Sequence, residues 1–350
     1  MTAKNSFKLA AIQAAPVYFD REASTERACA LIKEAGAQGA TVAAFGETWL
    51  PGYPFFIFAQ TQPLTWKALA EYIASAVEIP SATTDKLCAA AKSAGVDVVI
   101  GIVERDRVTQ GTVYCTLLFI GRDGRMLGRH RKIKPTFVER AAWGDGDAQG
   151  LRVHERPYGR MSGLNCWEHN LMLPGYALAA QGTQIHVAAW PGREPPSSAP
   201  PTLTLWPRQL LLSRAFASQA ACYVIAVGGV RRLADTPERY RELSSFEHTG
   251  DSYIIDPRGE IIAGPAEGEM ILTAEGSTEA VFAAKAAADI GGHYSRPDIL
   301  RLLVDRRPLE RLSDAPVTEN APETVHANEI SRMQSAQSTA RPRYSSLWPV

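Results

Sequence analysis

The stretch Met161-Ser-Gly-Leu-Asn-Cys166-Trp-Glu-His169 brings several reactive groups together around one thiol. Small and apolar residues lead up to a single cysteine, and aromatic, acidic and imidazole side chains follow it at once. Asn165, a residue type that tolerates unusual backbone angles, stands directly before it. The pattern predicts a strand that ends in a sharp turn and presents a side chain at the sheet's edge, as nucleophile-bearing turns do. Cys166 in such a place could be a nucleophile, a metal ligand or packing.

A nucleophilic thiol needs a base, because a free thiol is mostly protonated at neutral pH. His169 is close in sequence, but no Asn or Asp signature completes a Cys-His arrangement. The other arrangement is a carboxylate with a lysine, whose positive charge lowers the thiol's pKa and steadies charge that develops on a substrate. Two glutamates stand out by context. Glu47 follows an apolar run and opens a loop dense in aromatics and prolines, with Phe45 and Trp49 to desolvate it; Glu139 lies in the loop beyond Arg131-Lys132. Burial would raise the Glu47 carboxyl toward the range a general base needs. On charge alone, Lys132 reads as part of a solvated basic strand end with Arg129, His130, Arg131 and Lys134. A metal site would join Cys166 and His169 to His154 or His186. C-x-x-H lacks a second ligand pair at zinc spacing, so no metal is expected.

The elements that must carry these groups alternate between strand and helix. Lys8–Ala14 reads as a buried strand and Asp20–Gln38 as a helix capped by Asp20. Residues 40–45 form a short apolar strand, giving an opening β-α-β unit with parallel strands and a right-handed crossover. Helices are expected over 64–77 and 81–94. Strands are expected over 96–103, 113–120 and 126–132, with Arg122-Asp-Gly124 as a turn. The second half repeats the alternation. It has strand 160–165, a helix to Gly182 with Pro174 and Gly175 in its first turns, strand 185–190, a Pro/Ser-rich loop, helix 203–219 and strand 222–227. A hairpin follows around Asp256-Pro-Arg-Gly259, with Met270–Thr273 beside it. This predicts an α/β sandwich in one domain over 1–306. Residues 307–350 turn polar and read as an extension that is disordered or ordered only against another subunit.

Bulk properties narrow the function classes. The 350 residues are 45% hydrophobic and 21% charged, and Lys+Arg and Asp+Glu both total 37. A zero net charge gives no general attraction to nucleic acid or anionic membrane, and it lets copies self-associate easily. No run of about 18 apolar residues is present, so no membrane helix is expected. Five widely spaced cysteines without C-x-x-C argue for free thiols in a reducing compartment, hence a cytoplasmic protein. Cys29, Cys88, Cys115 and Cys222 sit in apolar helices or strands and read as buried packing.

Three stretches together resemble the signatures of the nitrilase family, in that family's order. They are Phe45-Gly-Glu47-Thr-Trp-Leu-Pro-Gly-Tyr-Pro, His130-Arg-Lys132-Ile-Lys-Pro-Thr-Phe-Val-Glu139-Arg and Asn165-Cys166-Trp-Glu-His169. Residues 176–182, 184–192 and 292–298 are similar to it as well, so the resemblance covers about residues 8–306. It implies a Glu-Lys-Cys triad at Glu47, Lys132 and Cys166, with Glu139 in support, and the Cys-Trp-Glu-His form resembles the true nitrilase branch. It also implies an α-β-β-α sandwich that pairs into a four-layer dimer, from which many members grow spirals. The implied reaction hydrolyses a nitrile to a carboxylic acid and ammonia with no cofactor. Tyr53, Phe55, Trp167, His169 and Trp190 are expected around the substrate. Gly46 stands where most members carry proline, which predicts a looser Glu47 loop; Leu171-Met-Leu-Pro-Gly175 also departs from the usual pattern. The alternatives are a cyanide hydratase or dihydratase, an amidase on the same fold, a silent filament-forming scaffold, or a redox-sensing thiol at Cys166.

Overall fold

In the computed structural model the described residues are 6–59, 62–193, 206–244, 246–309 and 312. The chain divides into two compact units, Met1–Leu309 and Glu310–Val350. The expected polar extension therefore lies almost wholly outside the described residues.

The first half builds one sheet. Strand β1 (Ser6–Gln13) leads into helix α1 (Arg21–Ala37), whose first turn is capped by Asp20 accepting from Ala23 N at 2.9 Å. That carboxylate meets one of the free N–H groups every helix start exposes. β2 (Val42–Phe45) then lies parallel to β1, and after α2 (Gln62–Ser75) and α3 (Ala82–Ala94), β3 (Asp97–Arg105) lies parallel to β2. β4 (Val113–Ile120) and β5 (Met126–Arg131) complete an antiparallel meander, turned at residues 122–124. Two reversals bring β5 back into the direction of β2, so the two strands end at the same side of the sheet.

The second sheet is parallel at its centre. Its members are β6 (His154–Arg156), β7 (Gly159–Asn165), then α4 (Met172–Ala179), β8 (Ile185–Trp190), α5 (Trp206–Ala220) and β9 (Tyr223–Gly228). β10 (Val230–Arg231) and β11 (His248–Thr249) form a small separate ladder. β12 (Tyr253–Ile255) and β13 (Ile261–Ala263) close the sheet as the expected hairpin, in the order β13-β12-β9-β8-β7-β6. One expectation is corrected here. β14 (Met270–Ser277) does not join that hairpin; it crosses to the first sheet and pairs antiparallel with β1 from Ser6↔Ser277 to Gln13↔Met270. α6 (Thr278–Ala287), absent from the sequence reading, follows it.

Three apolar layers define the sandwich. Ile12, Ala43 and Ile100 pack under α1 and α3 through Ala28, Ile32 and Leu87. Leu9, Val42, Val99 and Leu117 meet Met161, Ile185, Val187 and Ile225 between the sheets. Ala188, Val224 and Ala226 pack under α4 and α5 through Ala179, Phe216 and Ala217. Residues one apart on a strand face opposite layers, so central strands such as β2 and β9 are apolar on both faces and read as continuous apolar runs. The order helix, sheet, sheet, helix is the α-β-β-α sandwich expected from the sequence. Among the described residues no helix is long and apolar enough to cross a membrane.

Candidate active site

Three strand ends deliver Glu47, Lys132 and Cys166 to one buried place. Glu47 follows β2, Lys132 follows β5 and Cys166 follows β7, and all three are at most 3% exposed. Ligands of open α/β sheets meet the protein at such strand C-terminal ends. Lys132 Nζ donates to Glu47 Oε1 at 2.9 Å and to Glu139 Oε2 at 2.6 Å. One oxygen from each glutamate and Cys166 Sγ lie within 4.8 Å of one another. Three such ligand atoms could hold a cation, but the Lys132 ammonium already bonds both carboxylates and supplies that charge. Lys134, by contrast, points outward to Asp145 at 2.7 Å with half of its side chain exposed.

Each side chain is fixed by backbone that the sequence makes possible. The turn residue in the left-handed region is Cys166 itself, at φ +49°, whereas Asn165 is extended at φ −93°, ψ 121°. Asn165, the residue type that tolerates such angles, leaves them to the cysteine. A non-glycine residue held there costs energy that the surroundings must offset, and such residues cluster at active sites. Thr48, next to Glu47, also has positive φ. The Glu47 loop is not loose despite Gly46: Glu47 N donates to Trp190 O at 3.1 Å and Leu50 N to Gly101 O at 3.0 Å. Gly101 permits that crossing, because a Cβ there would overlap Gly46 O and Thr48 N.

Glu139 sits in a short helical turn, not an open loop. It also accepts from Thr136 N at 2.7 Å and from Tyr53 OH at 3.0 Å. Tyr53 thus spends its hydroxyl on Glu139. Cys115, taken from sequence as packing, places its thiol 3.4 Å from Glu47 Oε1, and its carbonyl accepts from Lys132 N at 2.7 Å. With Lys132 and Cys115 both on Oε1, Glu47 Oε2 is buried without a partner among the described residues.

Electrostatics follow from this burial. Burial drives the Glu47 carboxyl up to about 7; Lys132 pulls it down and Glu139 pushes it up. Burial also raises the Cys166 thiol well above its ordinary value, and the Glu47 charge adds to that. Lys132 and the Trp167 backbone N–H work the other way. Burial opposes the Lys132 ammonium, but the negative fields of Glu47, Cys166 and Glu139 outweigh it and hold its pKa well above the ordinary range. At neutral pH this leaves a charged lysine, a neutral thiol and a glutamate near its midpoint.

Glu168 was missed as well. It is buried, accepts from Asn165 N and Ile133 N at 2.8 Å each, and pairs with His130 Nε2 at 2.9 Å. It therefore ties the Cys166 turn to the strand end bearing Lys132. Burial would raise its carboxyl, but His130 and the two amides hold it below its usual value. Replacing it with glutamine would turn an amide N–H toward a backbone N–H or the histidine. Glu168→Gln is expected to lower unfolding free energy by about 3 kcal/mol, as when one partner of a buried pair is removed. Denaturant titration reads this, and an unchanged midpoint would show that the clamp is not structural.

The expected substrate residues divide. Trp167 is half-buried beside Cys166, with the Arg208 guanidinium 5.2 Å over its ring. His169 and Trp190 face the helix layer. His169 Nδ1 bonds Cys166 O at 2.7 Å, and its Nε2 meets His186 Nε2 at 2.9 Å. Burial holds the His169 imidazole down to about 4, so it stays neutral, and Nδ1 must carry the proton to donate to the carbonyl. Trp190 Nε1 donates to Ser213 Oγ of α5 at 3.1 Å. Phe55 is fully buried in an aromatic cluster with Tyr18, Phe19 and Tyr72.

The family model for carbon-nitrogen hydrolases matches residues 8–285, a span that includes all four residues of this cluster. This chain belongs to the carbon-nitrogen hydrolase family. It is a carbon-nitrogen hydrolase with curated relatives named as nitrilases. "Nitrilase 2" from an unknown prokaryotic organism is 54% identical over 306 residues, covering 87% of this chain and 94% of the relative. An "aliphatic nitrilase" from Rhodococcus rhodochrous is 35% identical, covering 92% and 88%. Among solved structures, Saccharomyces cerevisiae Nit3, a member of branch 10 of the nitrilase superfamily, superposes with a TM-score of 0.66. At 22% identity, with 81% of this chain and 94% of that chain covered, it shows that the carbon-nitrogen hydrolase fold is shared.

Proposed function

We propose that the protein hydrolyses a nitrile to its carboxylic acid and ammonia, with Cys166 as nucleophile, Glu47 as general base, and Lys132 and Glu139 in support. The observation that carries this is the unpartnered Glu47 Oε2 in a buried cluster that also holds the Cys166 thiol and the Lys132 ammonium. The thiol is neutral at rest, so its proton passes to Glu47 as sulfur attacks the nitrile carbon. A C–S bond forms as the C≡N bond becomes C=N, Glu47 passes the thiol's proton on to the nitrogen, and a thioimidate results. Lys132 faces the charge that develops on that nitrogen. Glu47 then takes a proton from water, whose oxygen adds to the same carbon. Glu47 returns that proton to the nitrogen, the new hydroxyl gives up its own as its oxygen becomes the carbonyl, the C–N bond breaks, ammonia leaves, and a thioester remains. A second water, activated in the same way, releases the acid and restores the thiol. Glu139, held by Tyr53 and Thr136, keeps Lys132 in place.

Homologues named nitrilases at 33–54% identity support a nitrile over an amide as substrate. The reading extends to a cytoplasmic homo-oligomer, a dimer or larger spiral, in keeping with zero net charge and five free thiols. The test is a panel of aliphatic, aromatic and arylaliphatic nitriles scored for ammonia, acid and residual amide. Acid and ammonia in equal amounts are expected. Amide as the main product, or turnover of amides but not nitriles, would favour the hydratase or amidase alternatives. Because Glu47 must be ionised to accept the proton, kcat/KM is expected to fall on acidification through about pH 7. A rate independent of pH across that value would remove Glu47 as the base.

A further inference from the structure

The open edge of the sandwich carries an arginine-lined cavity that the chemistry above does not use. β5 and β6 are edge strands of the two sheets. Along β5, His130 and Lys132 turn inward, so Arg129 and Arg131 take the opposite face. There Arg129, Arg131, Arg152, His154, Arg306 and Asp147 border a cavity of about 450 Å³.

The charges in this cavity do not balance. Arg129 and Arg131 share one buried carboxylate, Glu104, at 2.6 and 3.0 Å. Arg152 donates to Gln149 O at 2.9 Å and Arg306 to Leu151 O at 3.1 Å, and neither has an ion pair among the described residues. Arg306 Nε is buried there without a partner. The Asp147 oxygens are taken by Gln149 N at 3.0 Å and Leu309 N at 3.3 Å. Four guanidinium groups thus stand against two carboxylates. His154 adds no charge, because burial and the nearby Arg156 and Arg152 hold its imidazole down to about 4.

We propose that this cavity is a binding site for a small, multiply charged oxyanion, a phosphate or a di- or tricarboxylate. Guanidinium forks match such groups in pairs of parallel hydrogen bonds, and a half-enclosed cavity strengthens the attraction over that at an open surface. Two positive charges in excess favour an anion of more than one charge. The site is separate from the Cys166 cluster, because its arginines lie on the other face of β5.

Isothermal titration of the full chain with inorganic phosphate, citrate and acetate at one ionic strength tests this. Saturable binding of phosphate or citrate at one site per chain is expected, with Kd at or below about 1 mM and acetate at least about tenfold weaker. Arg152 is exposed, so Arg152→Gln serves beside the Arg152→Gln/Arg306→Gln pair. Both are expected to lose at least about tenfold in affinity, while turnover measured without added anion stays unchanged. No saturable binding of either polyanion, undiminished binding by the variants, or acetate binding as tightly as citrate would each overturn the proposal.

Discussion

Replacing Cys166 with alanine is expected to abolish ammonia release from every nitrile the intact protein turns over. The fall should be at least about 10⁴-fold, the scale seen when a covalent nucleophile is removed. Cys166 stands at the end of β7 at φ +49°, and its sulfur shares a buried cluster with both glutamates. No other thiol can take its place. Cys115 comes close to Glu47, but it lies within β4 and not at a strand's C-terminal end. The substitution removes one buried sulfur and leaves the Lys132 bridges intact, so the protein should lose only about 1 kcal/mol of stability. A folded variant without turnover is the expected result, read by circular dichroism and an ammonia assay. Turnover within about tenfold of the intact protein would take Cys166 out of the mechanism. If peroxide oxidises Cys166 and the intact protein turns over no nitrile, the thiol is a redox sensor instead.

The sandwich was legible because the patterns that specify it are local. Apolar runs such as 113–120 and 185–190 coincide with β4 and β8, and the Asp20 cap was readable from residue type alone. What failed was long-range. β14 has too short an apolar pattern to say which sheet it joins, and its pairing with β1 spans most of the chain. The site shows the same division. Glu47, Lys132, Glu139 and Cys166 could be named because their flanking motifs resemble known ones, and the structure brings all four together. Cys115 carried no such signal, and Glu168 lay inside the Cys-Trp-Glu-His motif with no role attached to it. A cysteine between Tyr114 and Thr116 in an apolar strand looks like packing until the facing residue is known. Glu168 bonds two backbone amides and His130, 38 residues away in sequence, which side-chain type cannot announce. The same holds for the faces that His169 and Trp190 take. Proximity to Cys166 in sequence or space does not fix the face, and β8 alternation puts the Trp190 indole toward α5.

Lys132→Ala and Lys134→Ala should differ sharply, although the two residues are only two positions apart. Lys134 pairs with Asp145 at the surface, and such an exposed pair contributes about 0–1 kcal/mol. Its removal should leave both activity and stability near those of the intact protein. Lys132 faces the reacting nitrogen in the proposed mechanism, so its loss should cost at least about 10²–10³ in kcat, as for other removed electrostatic stabilisers. It also leaves Glu47 and Glu139 buried without their shared cation, at about 3–5 kcal/mol while both are ionised. The pH dependence separates this from simple unfolding. Lys132 is what holds the Glu47 carboxyl down against burial and Glu139, and even so it stands at about 7. Without the lysine it rises further. A carboxyl whose folded pKa is raised contributes stability below its unfolded value and loses it as pH rises through the folded one. The melting-point gap between Lys132→Ala and the intact protein should therefore widen from below about pH 7 to above it. A constant gap would show that the lysine does not set the Glu47 carboxyl. Loss of turnover in Lys134→Ala alone would move the catalytic cation to position 134.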